Sequence, residues 1–463
     1  MRTSRATAIL CGLLATGACA SSAGAQQARL DRHLEQTTLD NGLQVIVAAN
    51  AATPVATVLV AVRTGAFTQE PSDEGIAHMY EHLLFRSFGG SPSAFAREVG
   101  RLGGEFNGFT TDEAVSYFVA VPSKRTNDAI KLVARLVEEA RFGQGDLNDE
   151  RPVVLDELER NESDPERAFA RRVDRQVWGA AWSRKDVSGD SATLAGLTLA
   201  RLREIYARYY RPNNAALIVT GDVSAPEVFQ AAREQFARWE RGPDPFAEHP
   251  VPPIAPPGAR QAVVVGAAVD AVTIELEWPG PSVASDTAAT YAADVLFGIL
   301  DAPTSAFQHR LVDSGLFQSV QCSYRTLNHA GPITIRGQTT PERTREALLT
   351  LLDEVDRMDQ LDGVTADDLE YARRSREVEA ALEYESAAAA APALAVLWSA
   401  AGMDYFRTYD AHTDAETPAA LRRFAQAYVV GRPLVIGVLG PPGTAAQIGA
   451  WLRGAQAATA RKP

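Results

Sequence analysis

The stretch Gly75-Ile-Ala-His-Met-Tyr-Glu-His-Leu-Leu-Phe85 places two of the chain's seven histidines one helical turn apart, with a carboxylate beside them. On a helix, His78, Glu81 and His82 share one face, and the apolar residues of the stretch cover the rest. Two such histidines and a carboxylate that can accept a proton from water are typical of a catalytic zinc site with one open position. The stretch therefore predicts that His78 and His82 bind zinc and that Glu81 is the general base.

A second acidic segment, Asp149-Glu-Arg-Pro-Val-Val-Leu-Asp-Glu-Leu-Glu159, offers the third ligand. Glu150 and Glu157 are two helical turns apart, so both carboxylates project from one helix face. We predict that Glu157 binds the metal and that Glu150 braces the site from behind. Pro152 fits this helix if Asn148 or Asp149 caps its start, because first-turn N–H groups have no intrahelical partner.

Two other interpretations of these residues stay open. The histidines and glutamates can form a hydrated polar helix face without metal, and Glu150 alone would be ordinary surface charge. A purely structural zinc is disfavoured, because structural sites are normally closed by four ligands that often include cysteine.

These two segments resemble the pitrilysin/insulinase family of zinc peptidases, which pairs H-x-x-E-H with a distant glutamate. Residues 40–47, 103–110 and 209–223 are similar to family landmarks in the same order. The resemblance implies that the zinc ligands are His78, His82 and Glu157, that Glu81 is the general base and that Glu150 supports the site.

The resemblance also implies that the segment around Asn107 is an edge strand to which an extended peptide substrate adds. Such binding requires a strand whose backbone groups are unpaired on one side. Gly103, Gly104 and Gly108 would permit close approach of a peptide. The alternative is a simple glycine turn before a strand at residues 114–121.

Composition limits the classes of protein to which the chain can belong. Its 463 residues, 46% hydrophobic and 22% charged, are typical of a globular protein with two or three domains. The net charge of −13 and the absence of a basic stripe argue against nucleic acid as a partner. The Ala-rich run at residues 387–401 is too short to cross a bilayer and predicts a packed helix, so we expect no transmembrane segment in the mature chain.

The N-terminus has the pattern of a secretory signal. Arg2 and Arg5 precede an apolar run at residues 6–18, and Ala23-Gly-Ala25 matches a cleavage site, so residues 1–25 are predicted to be removed on export. We expect a periplasmic or secreted protein. A lipid anchor at Cys19 is the alternative, although the leucine expected before such a cysteine is missing. After cleavage Cys322 is the only cysteine, which excludes an internal disulfide.

The chain also contains an internal duplication. Leu202-Arg-Glu-Ile-Tyr-Ala-Arg-Tyr-Tyr210 aligns without gaps on Leu421-Arg-Arg-Phe-Ala-Gln-Ala-Tyr-Val429, at an offset of 219 residues that also relates residues 216–221 to 435–440. In each copy a helix leads into a short strand, which predicts an α+β fold of two homologous domains, each an antiparallel sheet packed with helices.

We assign the domains as residues 26–240, which bind zinc, and residues 261–463, which are inactive. Residues 241–260, with seven prolines, form a stiff linker between them. In the second domain Phe297, Leu300 and Asp301 stand at the positions of the metal motif, so no second metal site is expected. The remaining histidines are scattered singly, which favours surface or local hydrogen-bonding roles.

The resemblance implies that the two domains enclose a clam-like chamber. In active family members an arginine and a tyrosine of the second domain hold the substrate carbonyl. Val312 and Gln318 stand at those places here, and the spacing of nearby Arg310 and Tyr324 does not match.

Some family members are paired subunits, and this chain resembles the metal-bearing one. The resemblance implies a zinc endopeptidase subunit that acts on peptides as a heterodimer with a related chain, with a homodimer as the alternative. A noncatalytic peptide-binding or assembly subunit is the competing hypothesis.

Overall fold

The computed structural model describes residues 34–459 except Pro92 and Asp362. The predicted signal peptide and Cys19 lie outside the described residues. Below, the first half denotes residues 34–240 and the second half residues 261–459.

Eleven strands in the described part of the chain form two sheets. They are β1 Leu34–Thr38, β2 Gln44–Ala49, β3 Val55–Val62, β4 Glu105–Thr110, β5 Val115–Pro122, β6 Ala215–Gly221, β7 Gln261–Gly266, β8 Val272–Pro279, β9 Ser319–Tyr324, β10 Pro332–Thr339 and β11 Val435–Gly440. The strand orders are β1-β2-β6-β3-β5-β4 in the first half and β7-β11-β8-β10-β9 in the second.

The prediction of antiparallel sheets is correct for most strand pairs and wrong for one pair in each sheet. β2 pairs with β6, and β7 with β11, in parallel, while all other pairs are antiparallel. In both sheets a long segment that contains several helices connects the two parallel strands, β2 to β6 and β7 to β11. Parallel strands require such a crossover connection.

Helices make up most of the remaining described structure. In chain order they are α1 Ile76–Ser87, α2 Ala94–Leu102, α3 Thr126–Glu138, α4 Gln144–Ser163, α5 Pro165–Trp178, α6 Ser191–Gly196, α7 Leu199–Tyr209, α8 Ala225–Gln235, α9 Pro245–Glu248, α10 Val283–Asp301, α11 Ala306–Gln308 with a π-helical turn at His309–Asp313, α12 Thr344–Asp356, α13 Ala366–Glu383, α14 Ala387–Ala400, α15 Met403–Asp414, α16 Pro418–Tyr428 and α17 Pro442–Thr459. Short 3-10 turns lie at Ala66–Thr68, Phe88–Gly90, Ser123–Arg125, Gly179–Arg184 and Pro212–Asn214.

The duplicated segments form equivalent structure. The helices α7 and α16 both begin and end 219 residues apart, and each leads into the fully buried strand of its sheet, β6 or β11. The α+β architecture and the tandem repeat are therefore as predicted. The domain boundaries themselves remain a prediction.

Each sheet is covered on one face by a helix of the other half. Helix α14, from the second half, packs on the first sheet through Leu394, Ala395 and Trp398, which contact Ile46, Leu59 and other core residues. Helix α5, from the first half, packs on the second sheet through Phe169 and Val173, which contact Val435 and Leu439. This exchange of helices interlocks the two halves.

One glycine makes the packing of α5 possible. A Cβ on Gly437 of β11 would lie 2.7 Å from side-chain atoms of both Phe169 and Val173. Phe169 is fully buried at this contact. Glycine is therefore required where the helix approaches the sheet most closely.

The Ala-rich run forms the packed helix that the sequence predicts. Ala390, Ala391, Leu394, Ala395 and Trp398 of α14 are buried. Among the described residues no single helix is long and apolar enough to span a membrane, and α14 and α15 meet the length and composition test only as a pair bent by 90°.

Candidate metal centre

Helices α1 and α4 pack together and bring the predicted ligands to one point. Glu157 Oε1 lies 3.8 Å from His78 Nε2, and Glu157 Oε2 lies 3.5 Å from His82 Nε2. The two imidazole rings meet edge to face with centroids 4.9 Å apart. Among the described residues, His78, His82 and Glu157 form the group whose ligand atoms lie close enough together to hold a metal ion, all within 4.8 Å.

The donor set fits zinc. Two imidazole nitrogens and one carboxylate oxygen are ligands that zinc prefers, and at Zn–ligand distances of about 2.0–2.1 Å the ligands of a tetrahedral ion lie about 3.3 Å apart. The separations of 3.5 and 3.8 Å are within a small side-chain adjustment of that value. Three protein ligands leave one position of the tetrahedron open.

The start of α1 depends on a close backbone approach. Gly75 precedes the helix with φ of 90°, in the left-handed region that favours glycine. A Cβ there would lie 2.8 Å from Leu194 and 2.9 Å from the Cα of Gly189. The Gln69 side chain accepts hydrogen bonds from the backbone N–H groups of Gly75 and Ala77, which further fixes this end of the helix.

Glu150 lies behind His82, as predicted for a bracing carboxylate. Its Oε1 is 2.9 Å from His82 Nδ1, and its Oε2 accepts a hydrogen bond of 3.2 Å from Arg86. Burial is the largest single influence and opposes the charged forms of both groups. The hydrogen bond between them and the surrounding charges together outweigh burial, which raises the pKa of His82 and lowers the pKa of Glu150. Arg86, one turn after His82 on the same helix face, is a supporting residue that the sequence analysis missed.

His78 has a different electrostatic environment. Burial, followed by the charge of His82, lowers its pKa. The ring is therefore favoured in the neutral form, which is the form that ligates metals.

The predicted cap of the Glu157 helix is wrong. Helix α4 begins at Gln144, two turns before Pro152, and the N–H of Gly143 donates to Asp146 Oδ2 at 2.8 Å. Pro152 thus lies inside the helix, where it removes the hydrogen bond to the carbonyl of Asn148. Packing of α4 against α1 outweighs this local cost, so both Glu150 and Glu157 still face the histidines.

Glu81 faces the edge of the first sheet. Thr110 Oγ1, on β4, donates a 2.8 Å hydrogen bond to Glu81 Oε2. A Cβ on Gly108 would lie 2.8 Å from Glu81 Cγ, so glycine is required there. Burial raises the pKa of Glu81, and the Thr110 hydrogen bond partly offsets this effect. Thr110 was not predicted from the sequence, although its two-residue spacing from Gly108 places both residues on one strand face.

The segment around Asn107 is an edge strand, and the glycine-turn alternative is wrong for it. Strand β4 pairs with β5 on one side and ends the strand order of the first sheet. Asn107 is exposed and points away from α1, because Gly108 and Thr110 on alternate positions contact Glu81. A peptide-binding role for Asn107 remains a prediction.

The second half has no arginine or tyrosine at positions 312 and 318, where the family resemblance would place them. Val312 packs against the core of the second half. Arg310 pairs with the buried carboxylate of Glu354, and the Tyr324 hydroxyl donates to the carbonyl of Pro281 at 3.0 Å. Arg310 and Tyr324 are thus both engaged within their own half.

Comparison with known proteins defines the class. Residues 44–189 match the family described as insulinase (peptidase family M16), and residues 196–376 match the peptidase M16 inactive domain. The chain belongs to peptidase family M16, the insulinase family. The description of the second match agrees with the absence of a metal motif from the second half.

Individual relatives agree with this membership. The chain is 28% identical to an uncharacterized zinc protease of Mycobacterium tuberculosis, over 71% of this chain and 75% of the relative. The crystal structure of a protease from Helicobacter pylori has the same fold, with a TM-score of 0.76, 22% identity and coverage of 88% of this chain and 99% of that chain. The periplasmic protease PqqL from Escherichia coli matches 90% of this chain but 48% of its own length, with a TM-score of 0.71 and 18% identity.

Proposed function

We propose that this protein is an exported zinc endopeptidase subunit that hydrolyses peptides bound in an extended conformation. The observation that carries the proposal is the convergence of His78, His82 and Glu157 beside Glu81, next to the free edge of β4. Membership of family M16 and the names of its zinc-protease relatives support a peptidase in general.

Each residue near the cluster has a chemical task in this proposal. His78, His82 and Glu157 hold the metal, which supplies a Lewis acid and lowers the pKa of water when bound. Glu81 accepts the proton of the attacking water and passes it to the leaving amine. Glu150 holds the Nδ1 proton of His82, so that Nε2 keeps its lone pair for coordination.

The edge strand orients the substrate. A peptide that pairs with the free side of β4 is held by main-chain hydrogen bonds, which are independent of its sequence. Asn107 lies on this strand and is available to contact the peptide. The scissile bond is thereby kept near Glu81, which contacts Gly108 and Thr110 of this strand.

The missing arginine and tyrosine favour a partner chain. Val312 has no donor, and the neutral amide of Gln318 cannot replace the charge of the arginine or the phenol of the tyrosine at a developing oxyanion. The loss of one such donor costs on the order of a hundredfold or more in rate. PqqL matches this chain over about half of its length, which is consistent with a second unit beside the first. We propose a heterodimer with a related subunit that supplies both groups, with a homodimer as the alternative.

The test compares turnover of an unstructured peptide by the chain alone and with a related subunit that carries the arginine and tyrosine, at equal zinc. We expect poor hydrolysis by the lone chain and restoration by the partner, and loss of roughly a hundredfold or more with Glu81→Gln. Strong hydrolysis by the lone chain, unchanged by the partner, contradicts the paired-subunit proposal. Peptide binding without hydrolysis by the pair favours the noncatalytic alternative.

We further propose export with removal of residues 1–25, supported by the cleavage pattern at Ala23 and Ala25. The mature N-terminus is then Gln26. N-terminal sequencing of the exported protein tests this, and a lipidated Cys19 contradicts it.

A further inference from the structure

The side chain of Glu81 is held by two residues of β4. Thr110 Oγ1 donates to Glu81 Oε2 at 2.8 Å, and the missing Cβ of Gly108 leaves room for Glu81 Cγ. A glutamate side chain has several rotatable bonds, so one directional hydrogen bond is needed to select a single orientation of the carboxylate. The position of Thr110 therefore sets the position of the carboxylate.

Thr110 is the last residue of β4, and the turn that follows it is held by the second half. Asp112 forms an ion pair with Arg325 at 3.0 Å. Glu113 Oε1 accepts a hydrogen bond of 3.1 Å from the backbone N–H of His329 and lies 3.1 Å from Nδ1 of the same residue. Arg325 and His329 belong to the loop between β9 and β10. Asp112 and Glu113 are only 3% and 2% exposed.

Other contacts fix the same turn. The Lys185 ammonium is 3.7 Å from Asp112 and donates a 2.5 Å hydrogen bond to the carbonyl of Ala330 in the second half. The His329 ring stacks on Phe67 with centroids 4.6 Å apart, and the Phe67 N–H donates to the carbonyl of Asp112. Asp112, Glu113 and Lys185 are buried in this network, and removal of a buried charged member is costly, so the turn has one strongly preferred position relative to the second half.

We infer that Thr110 is a positioning residue for Glu81 and that the second half fixes Thr110 through Asp112 and Glu113. This inference rests on the proposed function of Glu81 as general base. In this inference the second half helps to position Glu81 at the metal centre of the first half, although the second half contributes no metal ligand. The coupling runs through the turn of four residues, 111–114, between β4 and β5.

The first experiment uses Thr110→Val, which keeps the β-branched shape and removes the donor, and Thr110→Ser, which keeps the donor. Assays use the zinc-loaded protein, with its partner where activity needs one. We expect Thr110→Val to lower kcat by about tenfold with KM changed less than about twofold, since a lost directional contact to the base affects the chemical step. Zinc content stays at the parent value, and Thr110→Ser recovers most of kcat. Equal kcat in the parent and Thr110→Val, or no recovery by Thr110→Ser, overturns the role of Thr110.

The second experiment tests the coupling with Glu113→Gln. This variant should lower kcat several-fold in the parent background and have little further effect in the Thr110→Val background, because both changes act through one contact. Arg336→Gln is the matched control, since Arg336 also bonds across the halves, to Glu166, but lies away from the turn. It should lower the melting temperature and leave kcat unchanged. Additive effects of Thr110→Val and Glu113→Gln, or an equal loss of kcat with Arg336→Gln, overturn the coupling.

A third readout does not depend on hydrolysis. Crystal structures of the parent, Thr110→Val and Glu113→Gln should show one Glu81 conformer in the parent and a displaced or multiple conformer in both variants. An unchanged Glu81 in Thr110→Val overturns the inference whatever the activity. If the parent is inactive with and without a partner, the proposed function fails, and these structures still decide whether Thr110 positions Glu81.

Discussion

His82 Nδ1 lies 2.9 Å from Glu150 Oε1, and this contact determines which ring nitrogen His82 presents to a metal. A carboxylate at Nδ1 holds the proton there, which leaves the lone pair of Nε2 free. Nε2 is the atom that faces Glu157, at 3.5 Å. The acidic helix α4 thus places one carboxylate beside Nε2 of both histidines and another at Nδ1 of His82.

Zinc binding should depend on the three converging side chains. His78→Ala and Glu157→Ala remove one ligand each, so the purified proteins should lose most of the roughly one zinc per chain that the parent holds. Elemental analysis after dialysis measures the content. Glu159→Ala, on the exposed face of the same helix, is the control and should keep its zinc. Full zinc in either ligand variant means that the ligand assignment is wrong.

Glu150→Gln should weaken zinc binding without abolishing it. The amide keeps the size of the side chain but removes the charge that holds the Nδ1 proton, and changes of this kind typically cost 10–100-fold in metal affinity. Competition with a chromophoric chelator measures the affinity, and Asp156→Asn, exposed on the same helix, serves as the control. Equal affinities for the parent and Glu150→Gln would show that the contact does not tune the ligand.

Glu277→Gln should stabilise the protein more as the pH rises. Glu277 is 2% exposed on β8, Oε1 of its carboxyl has no hydrogen-bond partner, and burial, followed by the charge of Asp174, raises its pKa well above the usual value. Above about pH 4.3 the unfolded chain releases a proton that the folded chain keeps, so the free energy of unfolding of the parent falls as the pH increases. Glutamine has no such proton, and the advantage of the variant should grow by about 1.4 kcal/mol per pH unit until the pH reaches the folded pKa.

Urea unfolding at pH 5, 6.5 and 8 measures this difference. The exposed Glu346→Gln is the control for the loss of a surface carboxyl. A constant difference between the parent and Glu277→Gln across this range would contradict the prediction.

The exchanged helices should make unfolding of the two halves cooperative. Phe169→Ala on α5 should lower the free energy of unfolding by about 3–5 kcal/mol, and Leu394→Ala on α14 by about 2–5 kcal/mol, because each leaves a cavity in a fully buried contact between halves. Both variants should still unfold in one transition by fluorescence and circular dichroism. Val378→Ala, 52% exposed on α13, should change stability little. Two separate transitions in either core variant would show that the halves unfold independently.

Local pattern was sufficient for the metal motif and the repeat. His78, Glu81 and His82 share a helix face because three- and four-residue spacing is a property of the helix itself, and the same holds for Glu150 and Glu157. The duplicated helix and strand were visible because their hydrophobic spacing is also local. The parallel pairs β2–β6 and β7–β11 were not predicted, since pairing direction depends on how distant segments return to a sheet.

The sequence by itself predicted the residues that are proposed to bind metal, and it determined that the chain is a duplicated α+β protein whose second copy lacks the motif. Only the tertiary structure decided that Pro152 lies inside its helix, that Thr110 reaches Glu81 and that Asp112 and Glu113 are held by the loop between β9 and β10. The first set follows from periodicity within one element. The second depends on contacts between residues distant in sequence, where burial and packing across the two halves outweigh local preference.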